Sequence, residues 1–385
     1  MSKRKICVVV TARPSYSRIK TALRAIKGSP DLELQLVIAA SALLDRYGNA
    51  SKVIEEDGFA ISARVFSVLE GENPTVMAKT TGLGLLELAT VFENLKPDIV
   101  VTVADRYETL STAVAAAYMN IAVAHVQGGE VTGSIDEKVR HAITKLADVH
   151  LVATERAAER VIRLGEAPET VHVTGCPSID LAVEILNQPN LDFDPVEKYG
   201  GVGAPVEASN GYLVVLQHPV TTEYALARQH VLETLHTIRC VGLPAFWFWP
   251  NVDAGADGTS SGIRAFREAE RPDNIRFFKN MMPADFLRLV HNCKCLVGNS
   301  SVGIRECSFL GVPVVNIGSR QLGRDRGANV LDVTYDREAI GCAIKRHFGN
   351  GRYPRDPLYG DGRAGERIAA CLSAAKPTIE KRLSY

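Results

Sequence analysis

Acidic and amide side chains recur at one kind of position in this 385-residue chain, just beyond a short apolar run. Asp105 follows Ile99–Val103, and Gln127 follows Ile121–Val126, with Glu130, Asp136 and Glu137 close behind. Carboxylates gathered in one place give several candidates for general acid and base, because surroundings can tune one as base and another as acid. The same carboxylates also stand where a helix begins, and helix capping is the plain alternative for each. A second group reads as an anion site. In Gly298-Asn299-Ser300-Ser301-Val302-Gly303-Ile304-Arg305-Glu306 an apolar run ends in small hydroxyl residues that open a helix, so backbone N–H groups and both hydroxyls can hold a diphosphate. Glu306, about one turn in, can accept both hydroxyls of a ribose. Arg13, in Thr11-Ala12-Arg13-Pro14, opens a helix after the first apolar run, and Arg320 and Arg324 follow Val312–Ile317. His218 ends the run Tyr212–Gln217 and precedes Pro219, a place to meet a ligand. Neither a G-x-G-x-x-G fingerprint nor a Walker loop is present, which disfavours dinucleotides and ATP-type phosphate cradles.

Placing these residues together requires strands that end at one edge. Ile6–Thr11, Leu34–Ala40, Ile61–Ser67, Ile99–Val103, Ile121–Val126, Val149–Ala153 and Val171–Thr174 are continuously apolar, as in strands covered on both faces. Helical spacing over Pro14–Lys27, Thr75–Leu95, Arg106–Met119, Asp136–Ala147 and Glu155–Leu164 makes them successive βα units. The rhythm restarts with Tyr212–Gln217, Ala245–Trp249, Ile275–Lys279, Cys295–Gly298 and Val312–Ile317. The fold class is therefore α/β, with two Rossmann-like, doubly wound parallel-sheet domains and a cleft between them. Domains are expected over 1–185 and 211–360, joined by a Gly/Pro/Asn-rich linker over 186–210 and followed by a C-terminal helix in 361–385 that packs back across the lobes. Ligands of such sheets bind beyond the carboxyl ends of the strands, where nearly all the residues above fall.

Bulk properties narrow the partners. Forty-four basic residues balance 44 acidic ones, so no overall field steers the chain to nucleic acid or to an anionic membrane. The apolar runs are strand-sized, far below the roughly 20 residues of a membrane span, and the start lacks a signal-peptide core, so a cytoplasmic protein is expected. Eight scattered cysteines read as reduced core thiols, and Cys293-Lys294-Cys295 has no further ligand cluster, so no metal is expected.

Gly128-Gly129-Glu130-Val131-Thr132-Gly133-Ser134-Ile135-Asp136-Glu137, Arg140-His141-Ala142-Ile143-Thr144-Lys145-Leu146, Gln217-His218-Pro219-Val220-Thr221-Thr222, Pro250-Asn251-Val252-Asp253-Ala254-Gly255 and Gly298-Asn299-Ser300-Ser301 go further. Together they resemble the hydrolysing UDP-N-acetylglucosamine 2-epimerases of the sialic and legionaminic acid type. That family is similar to the non-hydrolysing 2-epimerases and has a glycosyltransferase-B-like fold. The resemblance runs through nearly the whole chain and implies removal of the C2 proton as the nucleoside diphosphate leaves C1, then addition of water to the glycal to give the free 2-epimeric sugar. It implies no cofactor, a nucleotide-sugar substrate, and a homodimer or homotetramer. It makes Arg13, His218, Ser300, Ser301, Glu306 and Arg320 a diphosphate clamp, with Asn251 and Met281 nearer the nucleoside. Asp105, Asp136 and Glu137 become acid–base candidates, with Gln127 and His218 also at the reacting centre, and Arg106 and His141 as tuning neighbours. Relatives carry histidine at Ala42, His-Gly at Val103-Ala104 and glutamate at Gln127. A neutral amide cannot act as a base, so Gln127 moves proton transfer to Asp105 or to Asp136-Glu137, or signals a different sugar, such as a 2,4-diacetamido-trideoxyhexose. A non-hydrolysing epimerase, a glycosyltransferase and a catalytically silent sugar-nucleotide binder are the competing functions. Asp105→Asn is expected to lower turnover, and UDP binding to rotate the lobes.

Overall fold

A computed structural model describes residues 3–45, 49–71, 73–250 and 253–384. The first half forms a seven-stranded sheet from β1 (Arg4–Val10), β2 (Leu32–Ala39), β3 (Ala63–Val65), β4 (Ile99–Val103), β5 (Ala122–Val126), β6 (Val149–Val152) and β7 (Val171–Val173), all parallel, in the order β3-β2-β1-β4-β5-β6-β7. Side chains alternate between its two faces, as strand geometry requires: Ile6, Val8 and Val10 enter one core, Cys7 and Val9 the other. Burial on both faces explains why these strands read as unbroken apolar runs.

A second seven-stranded sheet holds β8 (Val202–Gly203), β9 (Leu213–Leu216), β10 (Ala245–Phe248), β11 (Ile275–Phe278), β12 (Cys295–Gly298), β13 (Val314–Ile317) and β14 (Val330–Val333), in the order β14-β13-β12-β9-β10-β11-β8. Again two cores flank it: Val214, Phe246 and Leu296 face one, Leu213, Val215 and Trp247 the other. The short edge strand β8, antiparallel to β11, lies in the span expected as linker, together with the helix Pro195–Tyr199. Neither β8 nor β14 was expected, because edge strands of two and four half-exposed or exposed residues carry no apolar run.

Helix boundaries depart from the sequence pattern in two places. The stretch Pro14–Lys27 splits into helices Arg13–Ser17 and Lys20–Gly28, and Arg18 in the break donates to Ser301 Oγ at 2.8 Å. The C-terminal helix, expected to reach Arg382, ends at Ala374, three residues before Pro377, whose ring disfavours helix in the preceding residue. Asp180 accepts from the N–H groups of Ala364 and Gly365 at 2.9 and 2.8 Å, capping that helix at its positive end beside the first lobe. Beyond it, Lys381 Nζ reaches Glu166 at 2.6 Å. Among the described residues no helix is long and apolar enough to cross a membrane.

Candidate active site between the two lobes

Strand order reverses once in each sheet, between β1 and β4 in the first and between β12 and β9 in the second. At such a reversal the connections leave in opposite directions and open a crevice at the carboxyl ends of the strands. Arg13 follows β1, Asp105 follows β4, His218 follows β9, and Ser300 and Ser301 follow β12, so both reversals feed one cleft. Close backbone approach builds it. Gly298 has φ +134°, and a Cβ there would stand 2.0 Å from the Leu216 carbonyl oxygen, so β12 and β9 meet only through glycine. A Cβ on Gly133 would stand 2.0 Å from the Ser319 carbonyl oxygen, and Gly133 N–H donates to Arg320 O at 3.2 Å, a backbone bridge between the lobes.

The cavity in this cleft is lined by Arg13, Arg106, His218, Met281, Ser300, Ser301, Glu306 and Arg320, eight of the residues singled out from sequence. Arg18, which the sequence reading missed, lines it too. One end is aromatic and apolar, with Phe248, Trp249, Pro250, Pro283 and Phe286. Asn251, expected near the nucleoside, lies outside the described residues. Arg13 donates to the Met281 carbonyl across the cleft, and burial brings its proton affinity down to about 10, which leaves it cationic. His218 is gripped through its backbone: its N–H donates to Asn299 Oδ1 at 2.7 Å and its carbonyl accepts from Asn299 Nδ2 at 2.8 Å. Burial first, then the charge of Arg320, pushes the His218 ring down to about 3, so at neutral pH it is uncharged. Asn299, unassigned from sequence, also fixes Arg320, whose Nη1 donates to its carbonyl at 3.2 Å.

Asp105, Glu130, Asp136 and Glu137 are not among the residues that line this cavity, and they sort themselves by charge. Asp105 is buried and bonded to Arg140, with Arg18 and Arg324 each 3.8 Å away. Burial alone would raise its proton affinity, but the three guanidinium charges outweigh that and hold it well below the usual carboxylate range. Glu130 spans the lobes, 2.6 Å from Arg305 and 2.8 Å from Arg324, and is lowered in the same way. Arg324, expected at the diphosphate, instead serves these two carboxylates. Arg106 turns from Asp105 to Glu108, with bonds of 3.0 and 3.1 Å, and to Asp253 of the other lobe at 2.9 Å. Glu137 accepts from Arg140, His141 and the Thr132 N–H, each at 2.8 Å; burial raises it, and these hydrogen bonds more than offset that.

Asp136 behaves in the opposite sense. It is half-buried at the first turn of the helix Asp136–Leu146, and no hydrogen bond to its carboxylate is formed among the described residues. Burial first, then the negative charge of Asp105, lifts it to about 6 against the opposing pull of Arg320. Gln127 is buried away from the cavity, its Nε2 donating to Cys176 Sγ at 2.9 Å. Its φ of +69°, with +64° at Ala104 and +51° at Ala40, puts three non-glycine residues in left-handed backbone at the carboxyl edge of this sheet. Such strain concentrates at working sites. The sequence signal for Arg140 was its spacing, four residues after Asp136 and so on the same helix face. Arg18 and Arg305 had none, since both lie in breaks between short helices.

Comparison with known proteins agrees with the two-lobed fold. Residues 24–373 match the family model described as UDP-N-acetylglucosamine 2-epimerase. The chain is 32% identical over 369 residues to the UDP-N,N'-diacetylbacillosamine 2-epimerase (hydrolyzing) of Legionella pneumophila, covering 96% of this chain and 95% of the relative. It is 30% identical over 374 residues to a UDP-N-acetylglucosamine 2-epimerase of Neisseria meningitidis, covering 96% and 95%. The crystal structure of the Methanocaldococcus jannaschii UDP-GlcNAc 2-epimerase in complex with UDP-GlcNAc and UDP superposes with a TM-score of 0.78 at 18% identity, covering 96% of this chain and all of that one. The two α/β lobes and the cleft between them are those of the UDP-N-acetylglucosamine 2-epimerase family, and the chain belongs to it.

Proposed function

We propose that the chain is a hydrolysing 2-epimerase of a UDP-activated 2-acetamido sugar, converting UDP-N-acetylglucosamine to N-acetylmannosamine and UDP. The observation that carries this reading is the division of charge in the cleft. Arg13, Arg18 and Arg320 line the cavity with Ser300 and Ser301, a surround for a departing diphosphate. Asp136, raised to about 6, supplies a carboxylate basic enough to take a proton from carbon yet ionised at neutral pH. In this reading Asp136 takes the C2 proton as the C1–O bond breaks. The electron pair of the C2–H bond becomes the C1–C2 double bond, and UDP leaves with the pair of the broken bond. Water then adds across the glycal, hydroxyl at C1 and proton at C2 on the opposite face, which releases the 2-epimer. Asp105, saturated by arginines, acts as the fixed negative charge that keeps Asp136 basic. His218, uncharged, donates a neutral hydrogen bond to the diphosphate.

A second substrate has support from one comparison: the Legionella relative bears the name of a UDP-N,N'-diacetylbacillosamine 2-epimerase (hydrolyzing). Incubation with each UDP-sugar, followed by proton NMR, separates the possibilities. Free UDP with a free 2-epimeric sugar is the expected result, and the faster substrate identifies the sugar. Formation of UDP-N-acetylmannosamine without UDP release would overturn the hydrolytic reading, and tight UDP binding without turnover of either would leave only a binding protein.

Glu306 lines the cavity, and its Oε2 is buried without a hydrogen-bond partner among the described residues, an acceptor suited to ribose hydroxyls. Glu306→Ala is expected to weaken UDP binding by about tenfold or more, the scale of losing charged hydrogen bonds. Calorimetry checks this, and unchanged affinity would remove Glu306 from the nucleotide.

A further inference from the structure

His125 is the one polar side chain in β5, Ala122-Val123-Ala124-His125-Val126, and it is fully buried. A polar ring taken out of water must satisfy both nitrogens within the protein. Here Nε2 lies 2.9 Å from the Ala104 carbonyl oxygen and Nδ1 lies 3.2 Å from Thr144 Oγ1. A carbonyl only accepts, so Nε2 carries the proton and Nδ1 accepts from the Thr144 hydroxyl. Burial, opposed in part by the bond to Ala104, brings the ring down to about 3, so it keeps this neutral form at neutral pH. A Cβ on Gly128 would stand 3.0 Å from Nδ1 and 3.1 Å from Thr144 Oγ1, so the ring is hemmed in where it is.

Both partners of the ring belong to the reacting edge. Ala104 follows β4, immediately before Asp105, and has φ +64°. An L side chain is disfavoured there because its Cβ crowds a carbonyl oxygen, and glycine alone enters the region freely. Ala104 is held in it from two sides: its N–H donates to Val126 O at 2.9 Å, and its carbonyl accepts from His125. Thr144 lies in the helix Asp136–Leu146, which also carries Asp136, Glu137 and Arg140. One ring therefore ties the turn that aims Asp105 to the helix that bears Asp136 and the Arg140 partner of Asp105. We propose that His125 is a positioning residue, which fixes Ala104 in left-handed backbone and so aims the Asp105 carboxylate at Arg140 and holds its charge near Asp136. Its effect on turnover rests on the reading of Asp136 as the base. Without the His125 bond, Ala104 relaxes to ordinary backbone, the peptide between Ala104 and Asp105 rotates, and the Asp105 charge moves away from both partners.

Asp136 reports the change. Asp105 and Arg106 act on it from the first lobe, Arg320 and Asp253 from the second, and of these Asp105 is the one joined to Ala104. Carbon-13 NMR of the carboxyl groups is expected to show Asp136 titrating at lower pH in His125→Phe than in wild type. In the same variant kcat for UDP release should fall by about 10- to 100-fold, the scale of a misplaced group, with KM little changed. Adding Ala104→Gly to it should recover about tenfold, because glycine lacks the left-handed penalty. His125→Gln, whose amide nitrogen reaches the place of Nε2, should keep most of the activity, whereas His125→Asn, which stops at the place of Nδ1, should resemble His125→Phe. That pair carries the test if the Phe variant does not fold. An Asp136 that titrates alike in wild type, His125→Phe and His125→Asn, or a loss of turnover that Ala104→Gly does not relieve, would overturn the proposal. A wild-type chain that releases no UDP would strike the hydrolytic reading instead, and the NMR titration would still decide this one.

Discussion

Asp136→Asn is expected to slow nucleotide release by at least about 100-fold, the usual scale for a lost acid–base group, with UDP affinity little changed. The amide keeps the shape of the carboxylate and cannot take a proton. The same substitution is expected to stabilise the fold at neutral pH. Asp136 is raised to about 6, whereas in an unfolded chain an aspartate titrates near about 3.9, so between these values the native state binds the proton more tightly. Stability contributed at this position is therefore present at low pH and is lost as pH rises from about 4 to about 6. Above that window the folded chain carries the cost of a half-buried anion near Asp105, a cost that Asn removes. Activity runs the other way, rising as pH increases through about 6 and Asp136 ionises. A UDP-release assay and thermal melts at pH 4 and pH 7 check both limbs. Near-wild-type turnover would take Asp136 out of proton transfer.

Asp105→Asn should act chiefly on stability and on its neighbour. Arg140 is fully buried and Asp105 is the carboxylate bonded to its Nη2, with Arg18 and Arg324 close by. Removing one member of a buried ion pair costs roughly 3–5 kcal/mol when the other charge is stranded, and because Arg140 keeps Glu137 at 2.8 Å the loss here is expected to be smaller than that. Because Asp105 is depressed in the folded state, its contribution is present above the unfolded carboxyl value and disappears as pH falls below about 4. Denaturant unfolding at pH 7 is the measurement, and the difference from wild type should shrink in acid. Loss of the Asp105 charge should also move the acid limb of the activity profile to lower pH, since part of the Asp136 elevation comes from Asp105. Lost activity with unchanged stability and an unmoved profile would instead make Asp105 the base.

The sequence by itself determined the two lobes and the edge at which the site lies. Strands buried on both faces must be apolar along their whole length, so β4 (Ile99–Val103) and β12 (Cys295–Gly298) were legible to the residue. Residues just beyond such strands necessarily gather at the carboxyl edge, which is why Arg13, His218, Ser300, Ser301, Glu306 and Arg320 all line the cavity. What only the tertiary structure decided is how the charges divide among themselves. Asp105, Glu130, Asp136 and Glu137 are all carboxylates in the sequence, and their proton affinities follow from burial and from which charges and hydrogen-bond donors lie within a few ångströms. Arg305 and Arg324 come to Glu130 from the other lobe, more than 170 residues away in the case of Arg305, and Arg18 reaches the cleft only because its helix breaks. Electrostatic interactions of this kind depend on distance and burial across the whole fold, and neither quantity is encoded in local spacing.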